Sequence, residues 1–306
     1  MELHHIRYFL AVAEELNFTR AAEKLGIGQP PLSQQIRSLE KEIGATLFHR
    51  IPQGVELTEA GRVFLDKVYG VPREVHDAKC AAQRAARGEL GLLRIGFTGS
   101  AAFHPRVPKL IRDFRRHFPE VEVALVEENT VQLVTMLGSE DIDAAFIRPG
   151  LHELQGLRLL RFRDEPMVIA LPSVHPLAER ENIQLSEMNG EPFVLLPRGA
   201  EFCLSEEVVT RCRESGFKPR LVQEGPQMAS VINLVAAEMG VSIVPRSLTQ
   251  LQVKGVVYVP LAGTYPVARM ALAVRRNERS ETAQNFITLV REYIRSFRLD
   301  SSLEED

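Results

Sequence analysis

Residues 28–39, GQPPLSQQIRSL, decide how the first part of the chain folds. Two adjacent prolines normally end a helix, yet the apolar residues after them recur at the spacing of one helical face. These residues are Leu32, Ile36, Leu39 and Ile43. Proline is tolerated in the first turn of a helix, because the amide hydrogens there have no intrahelical acceptor and its fixed φ suits the helix. Pro30 and Pro31 therefore predict a sharp helix start.

Two shorter helices are predicted before this one, at about residues 4–16 and 19–25, and Gly26-Ile27-Gly28 makes a tight turn. Two short helices joined by a glycine turn have the spacing of a helix-turn-helix, whose second helix enters the DNA major groove. Polar side chains on its outer face, with arginines beside it, can bind base edges or phosphates. The predicted DNA-binding residues are Arg20, Gln29, Pro30, Pro31, Ser33, Gln34, Arg37 and Arg50. A solvated face of a small helical bundle is the alternative interpretation.

The charge of this region does not decide between the two interpretations. Residues 1–58 hold six Lys and Arg against seven Asp and Glu, a net charge of −1. A general basic surface is therefore absent, and DNA binding would depend on a local cluster of Arg20, Arg37, His49 and Arg50.

A wing and a long helix are predicted next. Residues 47–58 favour two short strands turning at Pro52-Gln53-Gly54, and Thr58 can cap a helix that runs to Arg87. Apolar residues recur along that helix with alternating steps of four and three, which is a heptad seam. They are Phe64, Val68, Val71, Val75, Ala78, Ala82 and Ala85. We expect the seam to pair two copies of the chain, packing on its own chain being the alternative, and Pro72 to kink the helix.

Strand and helix patterns alternate from residue 91 to the end, which predicts mostly parallel sheets covered by helices, in two lobes. Ligands of such α/β sheets bind beyond the carboxyl ends of the strands, where helix starts favour carboxylates. The predicted effector-binding residues at these ends are Ser100, Thr130, Arg148 and Phe202. Arg148 would add a fixed charge or lock the site. Simple helix capping is the alternative role for Ser100 and Thr130.

The first 65 residues resemble the winged helix-turn-helix of LysR-type transcriptional regulators. The resemblance rests on FLAVAEELNFTRAAEKLGIGQPPLSQQIRSLEKEIGATLFHR followed by GVELTEAG, and further along on LVAAEMGVSIVP at residues 234–245. Gly28 stands where the family commonly has Ser, so a phosphate-contacting hydroxyl would be lost while the helix cap is kept. Some regulators of aromatic-compound catabolism in this family bind small carboxylated effectors near the positions of Ser100, Thr130 and Phe202.

The resemblance implies an α/β protein with three parts. They are a winged helix-turn-helix at residues 1–58, a linker and dimerisation helix at 59–88, and a two-lobed effector domain like a periplasmic binding protein at 91–306. Lobe one would be about 91–162 and 267–306, lobe two about 163–266, with hinges near Phe162 and Val267. The implied partners are double-stranded DNA with an interrupted palindromic operator, a small effector, and further copies in a homodimer or homotetramer.

Two alternative classes of function are a thiol-redox regulator and an enzyme. A thiol-redox regulator would use Cys203 and Cys212, which share the spacing of the reactive cysteines in the family's peroxide sensor. One helix would hold them about 13–14 Å apart, too far for a disulfide without unfolding. An enzyme would need a phosphate loop, a serine elbow or a metal-ligand cluster, and none of these motifs occurs, so neither a cofactor nor a metal is expected.

Composition completes the expectation. The chain is 45% hydrophobic and 25% charged with a net charge of −3, which is ordinary for a globular protein. No apolar run approaches the roughly 20 residues of a membrane span, and Glu14 and Glu15 interrupt any signal peptide. Three cysteines fit a reducing compartment, so a cytoplasmic protein without a membrane partner is expected.

Overall fold

The computed structural model describes residues 1–150, 154–197 and 202–300, with side chains at all of these except 202, 203 and 297–300. The chain divides into two compact units, Met1–Arg84 and Ala85–Asp306. No helix among the described residues is long and apolar enough to cross a membrane.

The first unit is a helical bundle with a two-stranded wing. Its elements are α1 Leu3–Glu15, α2 Phe18–Leu25, α3 Gln29–Ile43, β1 Phe48–Ile51, β2 Gly54–Leu57, α4 Glu59–Val68 and the greater part of α5 Val71–Ala86. The apolar stripe of α3 packs against α1 and α2, and Leu32, Ile36 and Leu39 are buried together with Phe9 and Val12. The three predicted helices and the wing are therefore confirmed.

Local residue chemistry sets the turn between α2 and α3. The side chain of Asn17 caps α2, since its Oδ1 accepts hydrogen bonds from the amides of Thr19 and Arg20 at 2.9 and 3.1 Å. Gly26 ends α2 in the left-handed conformation with φ of 68°, which glycine adopts at little cost. Gly28 takes the cap position of α3, and the two prolines lie in its first turn as predicted.

The wing is fixed to the bundle at both of its ends. Glu40 of α3 accepts hydrogen bonds from the amides of Leu47 and Phe48 through Oε1, at 2.8 and 3.2 Å. At the hairpin turn, the amide of Val55 donates to the carbonyl oxygen of Leu16 at 3.0 Å. A Cβ on Gly54 would lie 2.4 Å from that same oxygen, so only glycine fits there. The position of the wing thus depends on α1 and α3.

The single helix predicted for residues 59–88 is wrong, because two helices are present. α4 ends at Val68 and α5 begins at Val71. Pro72 lacks an amide hydrogen and its ring clashes with the carbonyl four residues earlier, that of Val68, so one helix cannot continue through this point. Val75 and the seam alanines of α5 are exposed, and none of the residues of α5, all of them described, is buried.

The second unit contains two lobes, each built on a sheet. Lobe one and the first crossing hold β3 Gly91–Phe97, α6 Gly99–Ala102, α7 Arg106–His117, β4 Val121–Glu127, α8 Thr130–Gly138, β5 Ala144–Ile147 and β6 Leu157–Arg161. Lobe two holds β7 Glu165–Pro172, β8 Ile183–Gln184, β9 Pro192–Leu195, α9 Phe202–Glu214, β10 Arg220–Glu224, α10 Met228–Ala236, β11 Ser242–Pro245, β12 Val256–Ala262 and β13 Val267–Ala268. The chain then returns to lobe one through β14 Ala271–Arg275 and α11 Glu281–Asp300.

The sheets are mixed, so the prediction of mostly parallel sheets is only partly right. In lobe one the order is β4-β3-β5-β14-β6, with β4, β3 and β5 parallel and β14 antiparallel to both of its neighbours. The chain returns to lobe one at the edge where β5 ends, and β14 must therefore run opposite to β5. In lobe two β7 pairs antiparallel with β11, β12 and β13, while β9 and β10 are parallel.

The two passages between the lobes lie side by side. The amide of Phe162 in the first passage donates to the carbonyl of Met270 in the second at 3.0 Å. Val267 pairs with β7 and so belongs to lobe two, which places the return passage at Arg269-Met270, just after the predicted point. Arg269 is held there by Glu207 of α9 at 2.9 Å. The lobes are thus joined by two chain segments that are hydrogen-bonded to each other.

Candidate DNA-binding and effector sites

The outer face of α3 is available to a partner. The predicted residues that the structure places in exposed positions are Arg20, Gln29, Pro30, Pro31, Gln34, Arg37 and Arg50. They lie on α3, at its start, on α2 and on the first wing strand. The exposed residues thus include the N-terminal end of the second helix of the helix-turn-helix, the part that enters a major groove in this motif.

Ser33 was predicted on this outer face, and that prediction is wrong. Its side chain belongs to the buried set, with 6% of the residue exposed. Successive helical residues are about 100° apart, so Ser33 lies beside the Leu32 stripe at the border of the core. Gln34 lies a further step around the helix and is exposed.

Some of the positive charges around this face are paired within the chain and others are not. Arg20 donates to the backbone carbonyl of Glu15 at 2.6 Å, and Lys24 forms ion pairs with Glu14 and Glu15 at 2.8 and 3.2 Å. Arg37 and Arg50, in contrast, form no ion pair with any described residue. A guanidinium on an exposed helix or wing without a carboxylate partner is suited to a DNA phosphate or a guanine edge.

In lobe one the predicted effector residues come together at one edge of the sheet. Ser100 follows β3, Thr130 follows β4 and Arg148 follows β5, and these three strands are parallel neighbours in the order β4-β3-β5. Carboxyl ends of adjacent parallel strands meet at one edge, where ligands of α/β proteins bind. The side chain of Phe202, the predicted residue of lobe two, lies outside the described residues.

Helix capping does not account for the two hydroxyl groups at this edge. Thr98 caps α6, its Oγ1 accepting from the amide of Ala101 at 3.3 Å. Asn129 caps α8, its Oδ1 accepting from the amide of Gln132 at 2.9 Å. Thr130 Oγ1 is buried and has no hydrogen-bond partner among the described residues. The alternative role considered for Ser100 and Thr130 is therefore taken by their neighbours.

Arg148 forms a connection between the lobes. Its side chain is fully buried, and it donates to the Ser100 carbonyl at 3.0 Å and to Ser100 Oγ at 3.4 Å. On the other side its Nη1 lies 3.5 Å from Oε2 of Glu165, the first residue of β7 in lobe two. Breaking such a buried pair would leave a charge uncompensated. The role predicted for Arg148, a fixed charge or a lock, stays a prediction.

Sequence reasoning missed Glu165 and the two residues that approach it besides Arg148, which are His104 and Ser247. His104 of lobe one lies 4.0 Å from Glu165 through Nε2, and the backbone amide of Ser247 in lobe two donates to Glu165 Oε1. Burial, together with the charges of Arg148 and Arg106, lowers the pKa of His104 to about 3. The one available signal was Glu165 itself, a carboxylate that opens the apolar run EPMVIALP.

The cysteine geometry opposes thiol chemistry at Cys212. Its side chain is fully buried, and burial raises the pKa of the thiol to about 12. A reactive cysteine needs the thiolate form and access to solvent. The side chain of Cys203, the other half of the predicted redox pair, lies outside the described residues. The described residues also contain no group of three or more His, Cys, Asp or Glu that could hold a metal ion.

An exposed helix-turn-helix with a wing, in one chain with a two-lobed α/β unit, defines a DNA-binding regulator that carries a ligand-binding domain. Residues 3–62 match the family described as bacterial regulatory helix-turn-helix protein, lysR family, and residues 86–295 match the LysR substrate binding domain. The chain belongs to the LysR family of transcriptional regulators.

Individual relatives agree over nearly the whole chain. The HTH-type transcriptional regulator AlsR of Bacillus subtilis (strain 168) is 37% identical over 94% of both chains. The regulator BudR of Raoultella terrigena is 39% identical over 94% of this chain and all of its own. The crystal structure of CbnR, a LysR family transcriptional regulator, superimposes with a TM-score of 0.85 at 25% identity, covering 95% of this chain and 100% of CbnR.

Proposed function

We propose that this chain is a DNA-binding transcription regulator that binds an interrupted palindromic operator as a homodimer or homotetramer and responds to a small carboxylated effector held between its two lobes. The observation that carries the effector part is the buried, unpartnered hydroxyl of Thr130 beside the ends of three parallel strands.

The DNA-binding part rests on α3 and the wing. Arg37 on α3 and Arg50 on β1 are exposed and form no ion pair with a described residue, so their charges are available to a nucleic acid. A related solved structure is that of full-length CbnR complexed with its target DNA, which superimposes with a TM-score of 0.85 at 25% identity. We infer that α3 of this chain enters the major groove and that the wing contacts the adjacent backbone.

Assembly into a dimer is supported by α5. Its seam residues Val75, Ala78, Ala82 and Ala85 are exposed at helical spacing, and small side chains of this kind allow two helices to approach closely. Two copies related by a two-fold axis would present two recognition helices. That symmetry predicts an operator with two inverted half-sites.

The effector part follows from the chemistry of the strand ends. α8, a nine-residue helix, begins at Thr130 on this edge, and a helix start favours an anion through its remaining free amides and the helix dipole. Arg148 would act as a positioning residue, because it is fully buried and holds the Ser100 carbonyl. Among the relatives, the Hca operon transcriptional activator HcaR and the regulator CatR are 33% and 35% identical, which gives loose support to the aromatic-catabolism subgroup that the sequence resembles.

The proposed mechanism is a population shift. The lobes are joined by two adjacent passages and by the Arg148–Glu165 pair, so a ligand that contacts both lobes favours one lobe arrangement over others. A change in how lobes pack between subunits would alter the spacing of the paired recognition helices. The effector would then change operator binding through differential affinity for two states.

Thr130→Val tests the effector site, because valine keeps the shape of threonine and removes only the hydroxyl. Aromatic and dicarboxylic acids are first screened by thermal shift on the full chain. The affinity of the acid that stabilises the wild type should fall about three- to tenfold in Thr130→Val, the value of one hydrogen bond.

Thr135→Val is the matched control, since Thr135 lies on the same helix with its hydroxyl on the Val131 carbonyl at 3.1 Å. Equal affinity of the wild type and Thr130→Val would count against the proposed site. Operator binding without effector should be the same in all three proteins. Loss of binding in the control as well would show that the substitution acts through α8 stability rather than through the ligand.

A further inference from the structure

A second cavity, of about 730 Å³, lies on lobe one at the edge of the sheet opposite to Ser100, Thr130 and Arg148. Its walls come from the start of β5, the end of α8, the end of β14 and the turn that leads into α11. The charged side chains of its lining include Arg94, Asp143, Arg275, Arg276, Glu278 and Arg279. The volume falls within the range of about 300–1,000 Å³ that small-molecule sites occupy.

The floor of this cavity is a satisfied ion network. Arg275 lies 3.3 Å from Asp143 Oδ1 and 2.5 Å from Glu278 Oε2, and it also donates to the carbonyls of Leu137 and Ile142 at 2.9 and 2.6 Å. The side chain of Glu278 is only 4% exposed. Its Oε1 accepts from the backbone amides of Arg279 and Ser280, just before α11. The charged groups of the floor are therefore already paired with one another.

The rim, in contrast, carries three guanidinium groups without a carboxylate partner among the described residues. Arg94 Nη1 donates to the Glu140 carbonyl at 3.1 Å, and Arg276 Nε donates to the Leu157 carbonyl at 3.1 Å. The side chain of Arg279 is exposed and forms no ion pair with a described residue. Backbone carbonyls are neutral, so these contacts orient Arg94 and Arg276 and leave their positive charge unbalanced.

Orientation of this kind matches the recognition of oxyanions. A guanidinium has five N–H donors in a planar fork, and a single carbonyl contact leaves several of them for a carboxylate or phosphate. Three such groups around one cavity favour a ligand with more than one negative charge. Glu140 is the only acidic side chain of the rim in the described part of the lining, and it is exposed to solvent.

We propose that this cavity is a second anion site, which binds a small ligand carrying a phosphate group or two carboxylates through Arg94, Arg276 and Arg279. α8 and β5 each run from this cavity to the edge that carries the proposed effector site. The two sites thus occupy opposite ends of the same helix and the same strand. The proposal concerns ligand binding only, and it stands whether or not the effector site is placed correctly.

Isothermal titration of the full chain at low ionic strength tests the proposal, with inorganic phosphate and succinate as separate probes. The double variant R276Q/R279Q should weaken binding of the recognised anion by about tenfold or more, since two charged donors are lost. The control R115Q/R116Q removes the same charge from exposed positions on α7, outside the cavity lining, and should bind like the wild type. Binding of phosphate alone would indicate a phosphorylated ligand, and binding of succinate alone a dicarboxylate.

Three results would overturn the proposal. They are no heat of binding with either anion, equal affinity in R276Q/R279Q and the wild type, or an equal loss in R115Q/R116Q, which would show only a general charge effect. Because Arg276 also contacts the Leu157 carbonyl, the single variant R279Q serves as the test if the double variant does not fold. R279Q should weaken binding by about three- to tenfold.

Discussion

Lowering the pH from 7 to 5 should destabilise the second unit through His104. This residue is 6% exposed, and burial, followed by the charges of Arg148 and Arg106, lowers its pKa from 6.5 to about 3. Among the described residues, Glu165 is the one carboxylate within ion-pair distance of it, with Oε2 4.0 Å from Nε2. The native state therefore keeps the imidazole neutral at pH values where the unfolded chain takes up a proton.

The sign and size of the effect follow from linkage. Stability rises with pH wherever the unfolded state binds more protons, so this contribution is complete above about pH 6.5 and decreases as the pH falls toward 3. Between pH 7 and pH 5, the unfolded state gains about 2 kcal/mol from protonation of one histidine with an ordinary pKa. The native state gains almost nothing over the same range, because its pKa lies well below 5.

Hydrogen exchange provides the assay, because it reports the unfolding free energy of the second unit separately from the first. Amides of β7 and β14 would be followed at pH 7 and pH 5, corrected for intrinsic exchange. In the wild type, the Arg106 amide donates a hydrogen bond to His104 Nδ1 at 3.3 Å. The variant His104→Asn keeps a side-chain acceptor for this amide and removes the titrating ring. Between pH 7 and pH 5, the unfolding free energy of this variant should fall by about 2 kcal/mol less than that of the wild type.

The exposed His117→Asn is the matched control, since it makes the same exchange of side chain outside the lobe junction. If His104→Asn lost as much stability between pH 7 and pH 5 as the wild type, the assignment of a buried neutral imidazole at the lobe junction would be wrong.

Two further predictions concern the first unit. Arg37→Ala should weaken operator binding by about tenfold, the value of one base or phosphate contact. A gel-shift titration measures this, with Arg62→Ala on α4 as the control. Unchanged affinity and selectivity in Arg37→Ala would refute the role of α3. Ala82→Glu places a charge in the exposed seam of α5 and should shift the chain toward monomers in analytical ultracentrifugation. The control Gln83→Glu, which lies off the seam, should not. A dimer retained in Ala82→Glu would place the interface elsewhere.

Much of the first unit could be predicted because its signals are local. The helical spacing of Leu32, Ile36 and Leu39, the two prolines and the glycine turn each act within a few residues. The wrong predictions concern positions whose environment depends on packing against other elements. Ser33 is at the border of the apolar stripe, and only packing against the bundle shows on which side it falls.

The second unit was predicted less completely, since its pairing is not local. The strand β6, LRLLR, carries an arginine at its second and last positions, and its pairing with β14 depends on a chain return more than 100 residues later. The strand ends with Ser100, Thr130 and Arg148 could be predicted from apolar runs. The contact of His104 with Glu165 joins two lobes, and no periodicity in the sequence encodes it.

The hydrogen bond between Phe162 and Met270 has a consequence for modularity. The segment between these two residues forms lobe two, while the strands and helices on either side of it complete lobe one, so lobe two is a domain inserted into another domain. The ends of the insertion are already within bonding distance in the folded chain. Such an arrangement allows the inserted domain to be exchanged or redesigned for another ligand while the host sheet keeps its own strand order.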